Sequence, residues 1–203
     1  NARIARERKL PLCQDCGTAV VFLEIGQDVH ITGGDLKQAI EEGVRRGYFQ
    51  GYLRKGMVSQ PFSKRINTRD NTPAVVHVEL APGDHVEVGL AAKGGGSENK
   101  SKFTMLNPSD SIVDWVVKTV PTMGAGWCPP GMLGIGIGGT AEKAAVMAKE
   151  ALMEPIDIHE IRARGPRDLT RSTSRASRNR IPLIKSSSSW SDFPLIKGRS
   201  VLE

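Results

Sequence analysis

The chain has 203 residues, of which 39% are hydrophobic, enough for one domain with a core or for one domain plus an appendage. No apolar run approaches 18 residues, so we expect no membrane span, and three cysteines favour a reducing, cytoplasmic compartment over a disulfide framework. Residues 166–203 contribute +5 of the net charge of +6. The remaining body is nearly neutral and contains no recognisable nucleic-acid-binding motif, which argues against a nucleic-acid-binding domain.

Five segments predict the regular elements in chain order. Residues 18–26 (TAVVFLEIG) predict a buried strand. The following segment predicts a helix with Asp35 as its N-cap and an apolar stripe of Leu36, Ile40, Val44 and Phe49. Residues 75–80 and 85–93 alternate around APGD, which predicts a β-hairpin. Residues 107–120 and 139–153 predict two further helices. This order indicates an α/β mixed (α+β) fold with flanking helices and glycine-rich loops.

The sequence changes character near residue 166. Residues 166–203 hold most of the basic excess, a four-serine run and no sustained periodicity. Such a segment buries too little apolar surface to offset the entropy of ordering it. We therefore divide the chain into a body, residues 1–165, and a Ser/Arg-rich tail, residues 166–203, that we expect to be disordered.

Two glycine-rich loops invite a nucleotide-binding interpretation. The loop Gly94–Ser101 (GGGSENKS) almost matches the phosphate-binding motif G-x-x-x-x-G-K-[ST], but Asn99 stands where the motif needs glycine. Residues 134–139 (GIGIGG) fit G-x-G-x-x-G but follow CPPG, a poor strand. Glycine-dense loops let a ligand approach the backbone, and their amides can bind phosphate or a dicarboxylate. The alternative is that these glycines form tight turns between packed elements.

The cysteines leave three interpretations open. Cys13 and Cys16, in PLCQDCG, could form half a zinc site, a redox pair, or one cluster ligand with a neighbour of no metal role. Zinc needs four ligands, and no second CxxC or HxxxH motif is present. A redox pair normally opens a helix, whereas Gly17 leads into the predicted strand.

The order of five motifs along the chain favours one of the three interpretations of the cysteines. LCQDCGTAVVF, GYLRKGM, NTRDNTPAVVHVEL, AAKGGGSENKS and CPPGMLGIGIGGTAEKA together resemble the alpha (N-terminal) catalytic domain of iron–sulfur-dependent class I fumarases and L(+)-tartrate dehydratases, over residues 11–166. The resemblance implies a hydro-lyase that hydrates or dehydrates a small dicarboxylate, fumarate to malate or tartrate to oxaloacetate. It also implies a 4Fe–4S cluster held by three cysteines, glycine-rich active-site loops, a beta subunit or beta domain, and a homo-oligomer.

The same resemblance assigns roles to individual residues. It implies that Cys13 and Cys128 are cluster ligands. It also implies that Asp15 acts in acid–base catalysis or orients the substrate hydroxyl. The substrate-binding residues that it implies are Gln14, Arg54, whose planar fork suits a carboxylate, and the backbone of Gly96.

The chain departs from the family pattern at three places. Cys16 replaces a usual threonine, so we interpret Cys13 as the ligand and Cys16 as a near-isosteric replacement. No cysteine follows Cys128, so the third ligand is absent. The Ser/Arg tail stands in place of the family's continuation, and we interpret the chain as an internal piece of the alpha domain, inactive on its own.

The tail gives the first prediction. Deleting residues 167–203 should leave the fold of the body intact, because the tail lacks periodicity and carries the excess charge. Limited proteolysis should cut the full chain there first, and circular dichroism of the shortened chain should match that of the full chain. A protected tail, or loss of folding on its removal, would contradict the division of the chain.

Overall fold

The computed structural model describes residues 2–10, 17–127, 131–154, 159, 162 and 163. The helices in this part are α1 (Ala2–Arg8), α2 (Leu36–Gln50), α3 (Gly95–Glu98), α4 (Ile112–Thr119) and α5 (Ala141–Leu152), with a 3₁₀ turn at Val120–Met123. The strands are β1 (Thr18–Gly26), β2 (Val58–Ser59), β3 (Ile66–Asn67), β4 (Val75–Ala81) and β5 (Val86–Lys93). Helices and a mixed sheet confirm the α+β prediction. Of the described helices, none has the length and apolarity to cross a membrane.

The main sheet is built around β1. Its strand order is β4-β1-β5, with β4 parallel and β5 antiparallel to β1, while β2 and β3 form a separate antiparallel pair. Five consecutive residues of β1 are buried, Ala19 to Leu23, as the β-branched and aromatic run predicts. A strand that is apolar on both faces needs a neighbour on each edge and cover on each face.

The predicted β-hairpin of residues 75–80 and 85–93 is wrong. β4 and β5 lie on opposite sides of β1, and the turn between them crosses the end of β1. There Gly26 donates from its amide to the carbonyl of His85, and Gln27 donates to Ala81. A Cβ on Gly26 would lie 2.2 Å from the carbonyl oxygen of Gly83, so only glycine fits. Alternation identified both strands but carries no information about which strand lies between them.

Helix α2 covers one face of the sheet. Asp35 caps it as predicted, accepting from the amide of Gln38 at 2.7 Å. Val44 and Tyr48 are buried and pack with Ala19 of β1. The prediction of Phe49 in the apolar stripe is wrong, since its side chain is 73% exposed. Tyr48, four residues after Val44, lies on the same side of the helix, whereas Phe49 lies about 100° further around.

Helix α5 lies on the opposite face of the sheet. A cavity between them is lined by Val20 and Phe22 of β1 and by Leu152 and Met153 at the end of the helix. Residues 141–152 form this helix within the predicted span 139–153. The predicted helix at residues 107–120 is α4, which Ser111 caps by accepting from the amide of Asp114 at 3.2 Å.

The glycines of GIGIGG make a close backbone contact with α5. A Cβ on Gly134 would lie 2.0 Å from the carbonyl oxygen of Ala148, and a Cβ on Gly136 would lie 1.9 Å from that of Ala144. Two alternate glycines therefore let an extended segment pack directly on the helix backbone. This contact gives them a packing role that needs no bound phosphate.

The contact yields a stability prediction. Gly136→Ala should lower the free energy of unfolding by about 1–3 kcal/mol or more, because the added methyl group meets backbone that cannot rotate away. Gly43→Ala is the matched control, since Gly43 lies inside α2 with no atom within 4 Å of the added Cβ. That change should instead stabilise the helix by about 0.5–1 kcal/mol. Urea unfolding of both variants measures the difference, and equal effects would refute the packing role.

Candidate functional site

The described residues include two of the six predicted site residues. Arg54 and Gly96 are described, whereas Cys13, Gln14, Asp15 and Cys128 lie outside the described residues, as does Cys16. The neighbours of these segments are described, and their contacts show how the motifs are arranged.

Pairing of β1 with β5 brings two of the motifs together. Thr18, which starts β1, lies opposite Lys93, which ends β5. Gly17 has a φ of +26°, and a Cβ there would lie 1.7 Å from the carbonyl oxygen of Lys93 and 2.8 Å from the Cα of Gly94. The residue that follows CQDC is therefore in backbone contact with the start of KGGG, and this approach requires glycine.

The KGGG loop forms a single helical turn, α3. Lys93 is buried and donates from Nζ to Oγ of Ser97 at 2.7 Å, and Ser97 donates in turn to the carbonyl of Gly94 at 3.0 Å. On the outer side, Nζ of Lys149 lies 2.6 Å from both carboxylate oxygens of Glu98. Gly96 is half-buried within this turn. Side-chain contacts from Lys93 and Lys149 therefore hold this turn in place.

The third motif segment approaches the same loop. The Cε atom of Lys100 lies 2.9 Å, and its Nζ 3.4 Å, from the position of a Cβ on Gly126. Gly126 precedes Cys128 by two residues. The KGGGSENK loop thus contacts the neighbour of Cys16 at one end and a near neighbour of Cys128 at the other.

Asn71, in the NTRDNTPAVVHVEL motif, connects the CQDCG and GYLRKGM motifs, and sequence reasoning missed it. Its side chain is fully buried, and its backbone is left-handed with φ +63°. Nδ2 donates to the carbonyl of Gly17 at 2.7 Å, while Oδ1 accepts from the amides of Gly56 at 2.8 Å and Met57 at 3.1 Å. One amide group therefore joins the end of CQDCG to the segment that follows Arg54. Asparagine tolerates a left-handed backbone, but that preference alone does not signal burial.

The loop that carries Arg54 is fixed through its backbone. The amide of Leu53 donates to Tyr48 at 3.0 Å, and Nδ2 of Asn67 donates to the carbonyl of Lys55 at 2.9 Å. Arg54 itself is exposed. The structure therefore holds the main chain on both sides of a solvent-facing guanidinium group.

Asp70, beside Asn71, stabilises the same turn. It accepts from the amide and hydroxyl of Thr72 and from Nε of Arg45 at 3.0, 2.8 and 3.1 Å. Burial alone would raise the pKa of Asp70, but these hydrogen bonds and the charge of Arg45 outweigh it and lower the pKa from 3.8 to about 2.

His77 lies on the α5 side of the sheet. Its ring stacks on Phe22 with the centroids 4.9 Å apart. Burial, together with the charge of Lys149, lowers its pKa from the ordinary value of 6.5, which favours the neutral imidazole. Within the described part of the chain, His77 belongs to no group of three His, Cys, Asp or Glu side chains that could hold a metal ion.

Comparisons with known proteins find the same family that the five motifs resemble. The family model for fumarate hydratase (fumerase) matches residues 1–173. The putative L(+)-tartrate dehydratase subunit alpha of Methanocaldococcus jannaschii is 37% identical across 77% of this chain and 57% of that protein. The anaerobic class I fumarate hydratase of Escherichia coli K12 is 34% identical, and fumarate hydratase 2 of Leishmania major is 36% identical. Each of these two alignments covers 70% of this chain and 26% of the relative.

The depressed pKa of Asp70 predicts a dependence of stability on pH. Because the folded pKa of about 2 is below the ordinary 3.8, the contribution of Asp70 is fully present above about pH 4 and is lost as the pH falls towards 2. Urea unfolding between pH 5 and pH 2 should show this loss, and Asp70→Asn should reduce it. Arg45→Gln should raise the pKa of Asp70, measured by NMR titration of its carboxyl carbon. An Asp70 that still titrates at its wild-type pKa in Arg45→Gln would contradict the assignment.

Proposed function

The chain belongs to the fumarate hydratase (fumerase) family, and from this membership we propose that it is part of an iron–sulfur hydro-lyase acting on a small dicarboxylate. The reaction is the reversible hydration of fumarate to malate or the dehydration of tartrate to oxaloacetate. The chain spans 57% of the tartrate dehydratase subunit and 26% of the fumarate hydratases that it matches. We propose that the complete enzyme, like these relatives, includes protein beyond the matched region.

One observation carries the proposal beyond the family match. Gly17 lies against Lys93 and Gly94, and Lys100 lies against Gly126. These contacts bring Gly17, the KGGGSENK loop and Gly126 together although they are far apart in the chain, which supports a common site for Cys13, Gly96 and Cys128. A nucleotide-binding loop would not require the two cysteine-bearing segments to approach it.

The cofactor we propose is a 4Fe–4S cluster. Cys13 and Cys128 would hold it. In support, Gly17 lies against Lys93 and Gly94 at the start of the KGGG loop, and Lys100 at the end of that loop lies against Gly126, two residues before Cys128. When bound, such a cluster supplies an open iron that acts as a Lewis acid on a substrate hydroxyl. The third matching cysteine is absent from the chain, so we expect this chain alone not to retain a complete cluster.

The remaining roles fall to side chains and backbone of this chain. Arg54 would bind a substrate carboxylate through two parallel hydrogen bonds. Gln14 would contact the substrate, and Asp15 would orient its hydroxyl or move a proton. Gly96 would present backbone to the substrate from the turn of α3, where a side chain would separate the two. Fixed donors of this kind stabilise the negative charge that develops when a proton leaves carbon beside a carboxylate.

The partners we propose follow from the relatives. Two of the relatives bear the name L(+)-tartrate dehydratase subunit alpha, one from Methanocaldococcus jannaschii, where the name is marked putative, and one from Escherichia coli. We propose a beta subunit or beta domain, and a homo-oligomer, for this protein in the cytoplasm. The catalytic part would comprise residues 1–165, with residues 166–203 as an appended tail that takes no part in the reaction.

Anaerobic reconstitution tests the proposal. The chain is loaded with iron and sulfide in two forms, as it stands and as an alpha subunit continued through the family's third cluster cysteine and combined with its beta subunit. Iron, sulfide and dicarboxylate hydration are measured in both forms. We expect hydration only in the complete assembly. Cys16→Thr is the matched variant for the cluster, and it should bind as much iron as the wild type. Retention of nucleotide without iron would favour the rival function, and loss of iron in Cys16→Thr would make Cys16 a ligand.

Arg54 gives the kinetic prediction. In the complete assembly, Arg54→Lys should lower kcat/KM by about tenfold or more, because a charge-assisted hydrogen bond contributes roughly 1.5–3 kcal/mol and an ammonium group cannot form the two-pronged contact. Arg65→Lys is the control, an equally conservative change at an exposed arginine of the neighbouring β2–β3 hairpin. Steady-state kinetics with fumarate and with tartrate measures both. Unchanged kinetics in Arg54→Lys would remove Arg54 from the site.

A further inference from the structure

Among the described residues, Asn71 has the largest side chain that is fully buried, with 0% of the residue's surface exposed. A buried amide group is costly unless its donor and acceptor are both satisfied. Asn71 satisfies them with main-chain groups of Gly17, Gly56 and Met57, which are 54, 15 and 14 residues away in the chain. A residue needed only for its own turn would bond locally, as the neighbouring Asp70 does to Thr72.

The two bonded segments lie directly beside proposed site residues. Gly17 follows the segment of Cys13, Gln14 and Asp15, and Gly56 comes two residues after Arg54. Hydrogen bonds with neutral partners at 2.7, 2.8 and 3.1 Å lie within the usual range for amides. Displacing one of these segments by about 1 Å would disturb a reacting geometry, an error that can cost about 100-fold in rate.

We propose that Asn71 is a positioning residue of the hydro-lyase, fixing Gly17, the residue that follows CQDC in the sequence, relative to the Arg54 loop through one side-chain amide. This inference rests on the proposed function for the reaction that it serves, although the fixing itself does not depend on it. Nδ2 fixes the main chain at Gly17 by donating to its carbonyl. Oδ1 orients the substrate-binding loop through the amides of Gly56 and Met57.

Two substitutions separate these halves of the side chain. Asn71→Asp keeps the shape and the acceptor oxygen for Gly56 and Met57, but it replaces the donor to Gly17 with an oxygen that repels the carbonyl. Asn71→Gly keeps the left-handed backbone at no steric cost and removes both halves. Asn107→Asp is the matched control, since Asn107 is exposed and donates to Asp110, three residues on.

In the complete reconstituted enzyme, the variants should differ in KM and kcat. Asn71→Asp should lower kcat by about 100-fold and raise KM less than Asn71→Gly does, because the Arg54 loop stays bonded and only the contact of Gln14 with the substrate is disturbed. Asn71→Gly should lower kcat and also raise KM several-fold. A structural role alone would lower the amount of active enzyme without separating the two constants. Asn107→Asp should leave both constants unchanged.

Two readouts on the chain without cofactor or partner complete the test. Amide exchange followed by NMR should find Gly56 and Met57 protected in Asn71→Asp and unprotected in Asn71→Gly. A thiol reagent should label Cys13 and Cys16 faster in both variants than in the wild type, with Cys128 as the internal reference. If the wild-type assembly hydrates no dicarboxylate, the proposed function fails, and these two readouts still decide the fixing by Asn71.

Two outcomes would overturn the proposal. The first is wild-type labelling and wild-type kinetics in Asn71→Asp. The second is an equal loss of protection at all amides, which means that Asn71 serves global stability alone. Should Asn71→Asp fail to fold, the wild-type chain decides, because positioning requires that the amides of Gly56 and Met57 exchange only on global unfolding. Their exchange through local opening would exclude it.

Discussion

Antiparallel pairing of β1 with β5 determines where the candidate site can lie, because it puts the start of one strand and the end of the other at the same edge of the sheet. The CQDCG segment enters β1 at that edge, and the KGGG loop leaves β5 there. The pairing is itself fixed by burial, since a one-residue slip would move every side chain of β1 to the opposite face. The apolar residues from Ala19 to Leu23 therefore set the position of polar chemistry that lies outside the core.

Two different devices hold the loops at this edge. At Gly17 the device is the absence of a side chain, which lets two main chains meet where any Cβ would collide with Lys93. At Asn71 it is a buried side-chain amide that bonds main-chain groups of two segments, at Gly17 and at Gly56 and Met57. An apolar side chain could fill the same space but would leave two amides and a carbonyl unpaired. Close packing at Gly17 thus brings the loops together, and the hydrogen bonds of Asn71 fix their relative positions.

Local periodicity predicted the elements well but not their neighbours. The buried run of β1, the Asp35 cap of α2 and the helix formers of α5 each specify an element from adjacent residues. The order β4-β1-β5 depends on which strand best fills the middle of the sheet, a property of all three strands together. Asn71 was missed for a similar reason, because its burial depends on distant main-chain groups. The proposed site residues came from the order of five motifs, and no single motif would have identified them.

The described part of the chain leaves apolar surface uncovered. Val78 and Leu80 on β4, and Val88 and Leu90 on β5, are 45–73% exposed, and cross-strand pairing places them on one face with buried residues of β1. Helix α4 likewise exposes Val113 and Val117. Contiguous exposed apolar side chains are typical of surfaces that other protein covers. The matched relatives extend well beyond the region that they share with this chain, which agrees with the covering of this apolar surface by further protein in the proposed enzyme.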